Sequence, residues 1–184
     1  MPELPDVEVY VERIAALMGG HRLERLRLGS PFLLRTVDPP AEAFAGRVLA
    51  GTRRLGKRIV LAFDGELLAA LHLMVAGRLH WRAAGAPLAR RNGLAAFDFS
   101  HGSLLLTEAG STRRAALHLL RGTASLTGLD RGGLEILGAA TADFRTRLIA
   151  ESHTLKRALT DPRLSPASAT PTPTRSSIAP GCRR

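Results

Sequence analysis

The sequence predicts an α+β protein in which one N-terminal helix is followed by an antiparallel β-sandwich. Apolar residues repeat at helical spacing over residues 5–18, and from about residue 22 the repeat shortens to two. Short apolar segments separated by tight-turn sequences then continue to about residue 120. Helical patterns return after residue 130, and residues 165–184 are rich in Pro, Ser, Thr and Ala without periodicity. We expect that last segment to be disordered, because it has few apolar groups to bury.

The N-terminal helix is predicted from one apolar face. Gly19 and Gly20 supply a C-terminal stop. The face is formed by six residues: Val7, Tyr10, Val11, Ile14, Leu17 and Met18.

The strands are predicted from short apolar segments and from turn sequences such as Asp64-Gly65 and Asn92-Gly93. A short helical turn is predicted over Ala41–Phe44. After the first strand, which begins near residue 22, strands are expected at about 47–54, 58–63, 66–74, 78–82, 95–99, 103–107 and 113–120. Later helices are expected at 141–151 and 154–159.

Composition narrows the class of partner. The formal net charge is +10, nearly all of the positive charge is arginine, and such a balance favours nucleic acid first and an anionic membrane second. Aromatic residues make up only 4% of the chain, which argues against a base-stacking platform. The single Cys182 excludes disulfides within one chain and multi-cysteine zinc sites. No apolar run reaches membrane-spanning length and no signal pattern is visible, so a cytoplasmic location is expected.

The first residues carry a candidate nucleophile. Proline at position 2 normally lets the initiator methionine be removed, which leaves Pro2 as a free secondary amine beside the carboxylate of Glu3. An α-amino group titrates at about pH 8, so a useful fraction is nucleophilic at neutral pH. Such an amine can form a Schiff base with a sugar aldehyde carbon while the carboxylate moves protons. The alternative is an ordinary helix start, with Pro5 in the first turn and acidic groups near the positive end of the helix dipole.

Residues 51–58, Gly-Thr-Arg-Arg-Leu-Gly-Lys-Arg, nearly match a phosphate-binding P-loop. Arg58 stands where that motif needs a hydroxyl residue for magnesium. Residues 59–63 have a strand pattern where the motif needs a helix. We therefore reject a P-loop, which leaves Lys57 as a lysine at the start of a strand.

Five segments together resemble the formamidopyrimidine-DNA glycosylase / endonuclease VIII family. Residues 2–6, Pro-Glu-Leu-Pro-Asp, are similar to the family's Pro-Glu-Leu-Pro-Glu start, and Gly56-Lys57 is similar to its Gly-Lys pair after arginines. Residues 72–77, His-Leu-Met-Val-Ala-Gly, align with His-Leu-Gly-Met-Ser-Gly. Residues 107–115 carry an arginine pair as in Asp-Pro-Arg-Arg-Phe-Gly, and residues 155–161 resemble a Lys-x-x-Leu-Leu-Asp-Gln block.

The resemblance implies a bifunctional DNA glycosylase and abasic-site lyase that excises oxidised bases. Pro2 would attack C1′ of the damaged nucleotide, Glu3 would transfer protons at the sugar, and Lys57 would contact the DNA there. The implied partner is damaged double-stranded DNA. A monomer associated with the nucleoid is expected. The preferred lesion stays open.

The resemblance also implies DNA-binding residues. Aligned without a gap, Val75 takes the place of the family's methionine, which fills the space left by a flipped base. Met74 then takes the place of a glycine, but a one-residue slip exchanges the two, so both are candidates. Arg113 and Arg114 match the arginine pair, and Ala115 replaces a phenylalanine wedge, which leaves the opposite-base preference open. Phosphate contacts, or alternatively a solvated basic edge, are expected at Arg53, Arg54 and Arg58. Lys156 is a further expected DNA-binding residue.

The chain departs from the family after residue 164. Family members continue with a Gly-Ile-Gly-Asn-x-Tyr segment that grips phosphates, and usually with a zinc finger of two Cys-x-x-Cys pairs. Its ligands are absent here, so no cofactor is expected. A family-like Phe-Ser-Gly-Ile-Gly-Asn-Ala-Tyr-Ser-Asp-Glu-Ile-Leu in GC-rich codons, read one nucleotide out of frame, gives the residues from Leu164 to Ser177. We therefore hypothesise a lost nucleotide near Leu164. Gene sequencing that finds no family motif in the other frame would contradict it.

The expected organisation has three parts: a catalytic sandwich at 1–128, a partial helix–two-turn–helix module at 129–164, and an out-of-frame tail at 165–184. Because half of the DNA clamp is missing, glycosylase activity is expected to be impaired more than lyase activity. Two alternatives remain, a non-catalytic basic DNA-binding remnant and an inactive pseudogene product.

Overall fold

The computed structural model describes residues 2–110, 113–130 and 140–149. Over these residues the chain forms helix α1 at Leu4–Met18, eight strands, and helix α2 at Thr141–Ile149. Short 3₁₀ helices lie at Pro31–Leu33, Ala41–Phe44 and Thr123–Gly128. The strands are β1 Leu23–Leu28, β2 Leu49–Leu55, β3 Arg58–Phe63, β4 Leu67–His72, β5 Gly77–Arg82, β6 Gly93–Phe99, β7 Gly102–Glu108 and β8 Ala116–Arg121.

The strands form two four-stranded sheets with the orders β1-β6-β7-β5 and β2-β3-β4-β8. All neighbouring strands pair antiparallel. Side chains from both sheets and from α1 form the main core, and its fully buried members include Leu61, Leu71, Phe97 and Leu106. The predicted fold class, an N-terminal helix with an antiparallel β-sandwich, is confirmed.

The second sheet is also covered on its outer face. Val60, Leu68 and Ala70 pack there against Leu126 from the 3₁₀ helix Thr123–Gly128. Since β4 is buried on both faces, its sequence is a continuous apolar run and does not alternate. His118 lies opposite Ala70 in the β4–β8 register. Burial, together with the positive charges of Arg58 and Arg35, holds the pKa of His118 below its ordinary value.

Helix α1 lies against β2 and β3. Glu3 is its N-cap, and the backbone N–H of Glu3 donates to the Asp6 carboxylate at 2.7 Å. Its buried face carries Val7, Ile14 and Met18, as the helical spacing predicts, and the helix ends at Gly19.

A polar cluster connects β1, β6 and β7. Arg27 Nε lies 2.5 Å from Asp98 Oδ2, and the Ser103 hydroxyl donates to Asp98 Oδ1 at 2.6 Å. Burial alone would raise the pKa of Asp98. The hydrogen bonds from Arg27 and Ser103 and the charges of Arg27 and Arg25 outweigh it, and the pKa lies below the ordinary value.

Two predicted strands have different bounds for local reasons. The strand expected over 66–74 ends at His72, because Met74 has a left-handed φ of 54° that a strand does not accommodate. The strand expected over 113–120 begins at Ala116, because the backbone N–H groups of Arg114 and Ala115 donate to the Glu108 carboxylate.

The chain divides into two compact units at Gly132–Gly133. In the second unit α2 begins at Thr141, within the predicted helix 141–151. The expected helix at 154–159, Lys156, the tail and the proposed frameshift site all lie outside the described residues. The predicted boundaries at 128 and 164 stay predictions. In the described ranges no helix is long and apolar enough to cross a membrane.

Candidate active site

Strand register brings the candidate segments to one end of the sandwich. In the second sheet Leu55 pairs with Arg58, Arg58 with His72, and His72 with Ala116. In the first sheet Gly77 pairs with Glu108. The β2–β3 turn, the β4–β5 turn and the β7–β8 loop therefore leave the sheets at the same end, although they are far apart in sequence.

The start of α1 meets the β2–β3 turn at this end. Gly56, with a φ of 58°, and Lys57 form the two-residue turn between the strands. Lys57 Nζ lies 3.1 Å from Glu3 Oε2, and the Lys57 side chain is only 15% exposed. A strand follows Lys57, in agreement with the rejection of a P-loop. Two of the three residues predicted to be catalytic, Glu3 and Lys57, thus form an ion pair, and the third, Pro2, directly precedes Glu3.

Pro2 also borders a cleft of about 360 Å³. Asp6 and Arg78 supply the charged groups of its lining, and Tyr10 supplies a hydroxyl. The remaining lining comes from Pro5 and Val9. A nucleophile on Pro2 would therefore face a space large enough for a small group, bordered by both charges and by apolar surface.

The β4–β5 turn presents Val75 to solvent. Its side chain is 54% exposed, while Met74 is half-buried. The N–H of Gly77 closes the turn by donating to the Leu73 carbonyl at 2.9 Å, and the Arg78 guanidinium donates to the Val75 carbonyl at 3.4 Å. The left-handed φ of Met74 is a conformation that glycine adopts readily. This agrees with the ungapped alignment, but the wedge role of either residue stays a prediction.

The β7–β8 loop carries the predicted arginine pair. Arg113 and Arg114 are both exposed, and the Arg113 guanidinium donates to the Arg91 carbonyl at 2.5 Å. The loop is held by Glu108, a buried carboxylate that the sequence analysis did not select. The sequence signal for Glu108 is an acidic residue at the end of a strand whose centre is apolar, shortly before the arginine pair.

The arginines of β2 and β3 have different surroundings. Arg53 is exposed. Arg54 pairs with Glu8 of α1 and also donates to the Gly56 carbonyl at 3.1 Å, and Arg58 donates to the Leu129 carbonyl at 2.9 Å. Of the three arginines, Arg53 is therefore the best candidate for a phosphate contact, because the guanidiniums of the other two have partners within the protein.

Positive charge dominates the exposed side chains around this end. Crowding of like charges is unfavourable in the free protein, and an anionic ligand relieves it. The exposed arginines here are Arg53, Arg78, Arg90, Arg91, Arg113 and Arg114.

The zinc finger usual in the resembled family does not fit this sequence, because Cys182 is its only cysteine. Cys182 lies outside the described residues. Among the residues that the structure does describe, no three His, Cys, Asp or Glu side chains form a candidate metal site.

Comparison with known proteins gives matches to the N-terminal part of the chain and to most of its length. The family model of the formamidopyrimidine-DNA glycosylase N-terminal domain matches residues 1–116. Formamidopyrimidine-DNA glycosylase of Moorella thermoacetica is 32% identical over 91 residues, covering 48% of this chain and 33% of that protein. That of Heliobacterium modesticaldum is 32% identical over 179 residues, covering 88% of this chain and 61% of the relative. The chain thus spans from about a third to three fifths of the length of these relatives.

Solved structures share the fold. The complex of Lactococcus lactis Fpg with DNA containing an abasic site has a TM-score of 0.77 at 19% identity, over 88% of this chain and 61% of that chain. The complex of the same protein with Fapy-dG-containing DNA has a TM-score of 0.77 at 19% identity, over 88% and 62%.

Proposed function

This chain belongs to the formamidopyrimidine-DNA glycosylase family, and we propose that it is a DNA glycosylase with abasic-site lyase activity that acts through Pro2. Its substrate class would be oxidised bases in double-stranded DNA. A monomeric, nucleoid-associated protein is part of the same proposal.

The contact between Glu3 and Lys57 beside Pro2 carries the proposal. Glu3 Oε2 and Lys57 Nζ are 3.1 Å apart, and the residue directly before Glu3 is the candidate nucleophile, Pro2, which borders the cleft. A lysine ammonium has three donors, so Lys57 can pair with Glu3 and still donate to a DNA phosphate or a base. The pair would hold the carboxylate at the nucleophile and still contact the substrate.

The reaction follows from a secondary amine and a carboxylate. After removal of Met1, the Pro2 nitrogen would attack C1′, forming an N–C1′ bond while the glycosidic bond breaks and the base leaves. The Glu3 carboxylate would take the proton of the Pro2 nitrogen and pass it to the ring oxygen as the sugar opens to an iminium ion, while the departing base takes a proton from water. The iminium makes the C2′ hydrogen acidic. Its loss would expel the 3′ phosphate and break the strand, and water would then release the amine.

Substrate distortion would involve the exposed residues of the two neighbouring loops. Val75, or Met74 as the alternative, would enter the stack at the extruded base, and Arg113 with Arg114 would approach the unpaired base opposite. Arg53 would contact a phosphate. Arg54 and Arg58 are weaker candidates because each guanidinium already has a protein partner.

Borohydride trapping on a duplex with one abasic site tests the proposal. Borohydride reduces an iminium ion to a stable amine, so the expected product is a DNA adduct on the tryptic peptide Pro2–Arg13, located at Pro2 by mass spectrometry. The matched control is the same chain carrying an uncleaved N-terminal extension, in which the Pro2 nitrogen is an amide and no adduct is expected. Absence of an adduct with Met1 shown to be removed would overturn the proposal.

A second candidate is a DNA-binding protein without catalysis. The exposed arginines favour DNA binding whether or not Pro2 is free. Binding of abasic DNA with salt dependence, combined with a retained Met1 and no adduct, would select this candidate.

A further inference from the structure

Glu108 is a buried acidic group for which the chemistry at Pro2 has no use. It is 2% exposed at the end of β7. Burial of a carboxylate is unfavourable unless its charge is compensated. Its hydrogen bonds within the described residues come from backbone N–H groups of the following loop, and the compensation is therefore tied to the shape of that loop.

The contacts of Glu108 fix the residues that carry the arginine pair. The Arg114 N–H lies 3.0 Å from both carboxylate oxygens, and the Ala115 N–H lies 3.0 Å from Oε2. Both donors precede the first residue of β8, so no strand pairing satisfies them. The carboxylate thus takes the place of the sheet ladder at the point where the chain leaves the loop.

A second loop is joined to the same point. The backbone N–H of Glu108 donates to the Asn92 carbonyl at 2.9 Å, and the Arg113 guanidinium donates to the Arg91 carbonyl at 2.5 Å. The segment before β6 and the loop before β8 are therefore connected by these bonds, with exposed arginines on both.

We propose that Glu108 is a positioning residue that sets Arg113 and Arg114 for contact with DNA. This inference rests on the proposed function, because it assigns the arginine pair to DNA. Glu108 itself does not touch the DNA, and it acts through the backbone of the loop.

The direction in which DNA affinity changes when the Glu108 charge is removed tests the inference. Replacement of a glutamate carboxylate by the neutral amide of glutamine removes one negative charge from the protein, and electrostatics alone then predicts equal or tighter DNA binding. In Glu108→Gln, an amide NH₂ replaces one acceptor and faces backbone donors. We expect its affinity for DNA to fall by about tenfold, the order expected when a specific arginine contact is lost.

The probe is a duplex containing a tetrahydrofuran abasic analogue, which cannot form a Schiff base, with the Kd measured by fluorescence anisotropy at one salt concentration. Glu24→Gln is the matched control, because Glu24 is exposed on β1 away from this end. Its Kd is expected to equal that of the wild-type chain or to be slightly lower. In an Arg113→Ala, Arg114→Ala background, Glu108→Gln is expected to have no further effect.

Glu108→Asp covers the case in which Glu108→Gln does not fold. It keeps the charge but shortens the side chain, so its affinity should be intermediate and its thermal unfolding cooperative. Binding by Glu108→Gln as tight as by Glu24→Gln overturns the inference. A tenfold loss that persists without the two arginines overturns it as well, since Glu108 would then act by another route. The probe forms no adduct, so this result is independent of the trapping experiment that decides the proposed function.

Discussion

Lys57 Nζ lies 3.1 Å from Glu3 Oε2, which joins the β2–β3 turn to the N-cap of the first helix. The two residues are far apart in sequence, and their contact places the Lys57 ammonium at the residue that follows Pro2. The ion pair is only partly exposed, with 15% of the Lys57 side chain and 34% of the Glu3 side chain open to solvent. Solvent and salt screen such a pair less than one on the open surface.

The first prediction concerns this pair. Glu3→Gln should slow single-turnover nicking of a preformed abasic duplex by about 10²-fold, the lower range for loss of a general acid or base. Lys57→Met should slow the reaction as well. The double variant should lose less than the sum of the two free-energy changes, because contacting groups couple. Fully additive losses would show that Lys57 acts only on the DNA.

The second prediction separates Val75 from Met74. Val75→Ala should lower the rate of base excision from paired duplex by about tenfold, or ~1.4 kcal/mol of activation free energy, with an unchanged Tm. Met74→Ala should lower the Tm, since that side chain is half-buried. Val37→Ala, at a position 94% exposed, is the control. A wild-type rate for Val75→Ala together with a tenfold loss for Met74→Ala would assign the wedge role to Met74.

Local patterns in the sequence predict local elements well. The apolar face of residues 5–18 becomes the buried side of α1, and Asp64-Gly65 becomes the turn between β3 and β4, with Gly65 at a φ of 70°. In each case the information lies within a few neighbouring residues, because helical faces and tight turns depend on short-range spacing and on glycine's access to left-handed φ.

Features that depend on distant partners could not be predicted in this way. The neighbours of β6 are β1 and β7, and no periodicity specifies the pairing with β1. The start of β8 depends on the Glu108 carboxylate, which lies before the loop. The packing of Arg54 against Glu8 of α1 likewise appears only in the folded chain. Pro2 and Glu3 were also selected from amine and carboxylate chemistry, but the other candidate site residues came from family motifs, which carry such long-range information implicitly.

The third prediction concerns stability in acid. The folded-state pKa of Asp98 is below its unfolded value, so its contribution to stability is present above about pH 4 and is lost as the pH falls through the folded pKa. Asp98→Asn should lower the free energy of unfolding at neutral pH by about 3 kcal/mol, as expected when one partner of a buried pair is removed. It should also weaken the acid dependence below pH 4. Asp64→Asn, which affects an exposed pair, should change stability by less than about 0.5 kcal/mol. Chemical unfolding over a pH series measures both effects.

The fourth prediction concerns a higher pH range. Because the folded-state pKa of His118 is below the ordinary value of 6.5, the unfolded chain takes up a proton first as the pH falls. Stability should therefore decrease from about pH 7 downward until the folded-state pKa is reached. His118→Gln should remove this slope. Urea unfolding of the wild type and the variant at several pH values measures it, with the difference between their free energies of unfolding at pH 8 as the reference. An identical slope in the variant would contradict the assignment.

The fifth prediction compares two neighbouring arginines of β2. Arg53 is exposed, whereas the Arg54 side chain is 8% exposed and pairs with Glu8 of α1. Arg53→Gln should weaken DNA binding and reduce the slope of log Kd against log salt by about one, since one phosphate contact releases about one counterion. Its Tm should not change. Arg54→Gln should instead lower the Tm, because it leaves Glu8 without its partner and loosens the contact between α1 and β2.

Anisotropy titrations at several salt concentrations and thermal unfolding of the same samples measure both quantities. The two substitutions remove the same charge from adjacent positions on one strand, so a general electrostatic effect would reduce the salt slope equally in both. If only Arg53→Gln reduces the slope and only Arg54→Gln lowers the Tm, then Arg53 contacts DNA and Arg54 stabilises the packing of α1 on β2. An unchanged slope in Arg53→Gln would exclude a phosphate contact at that position.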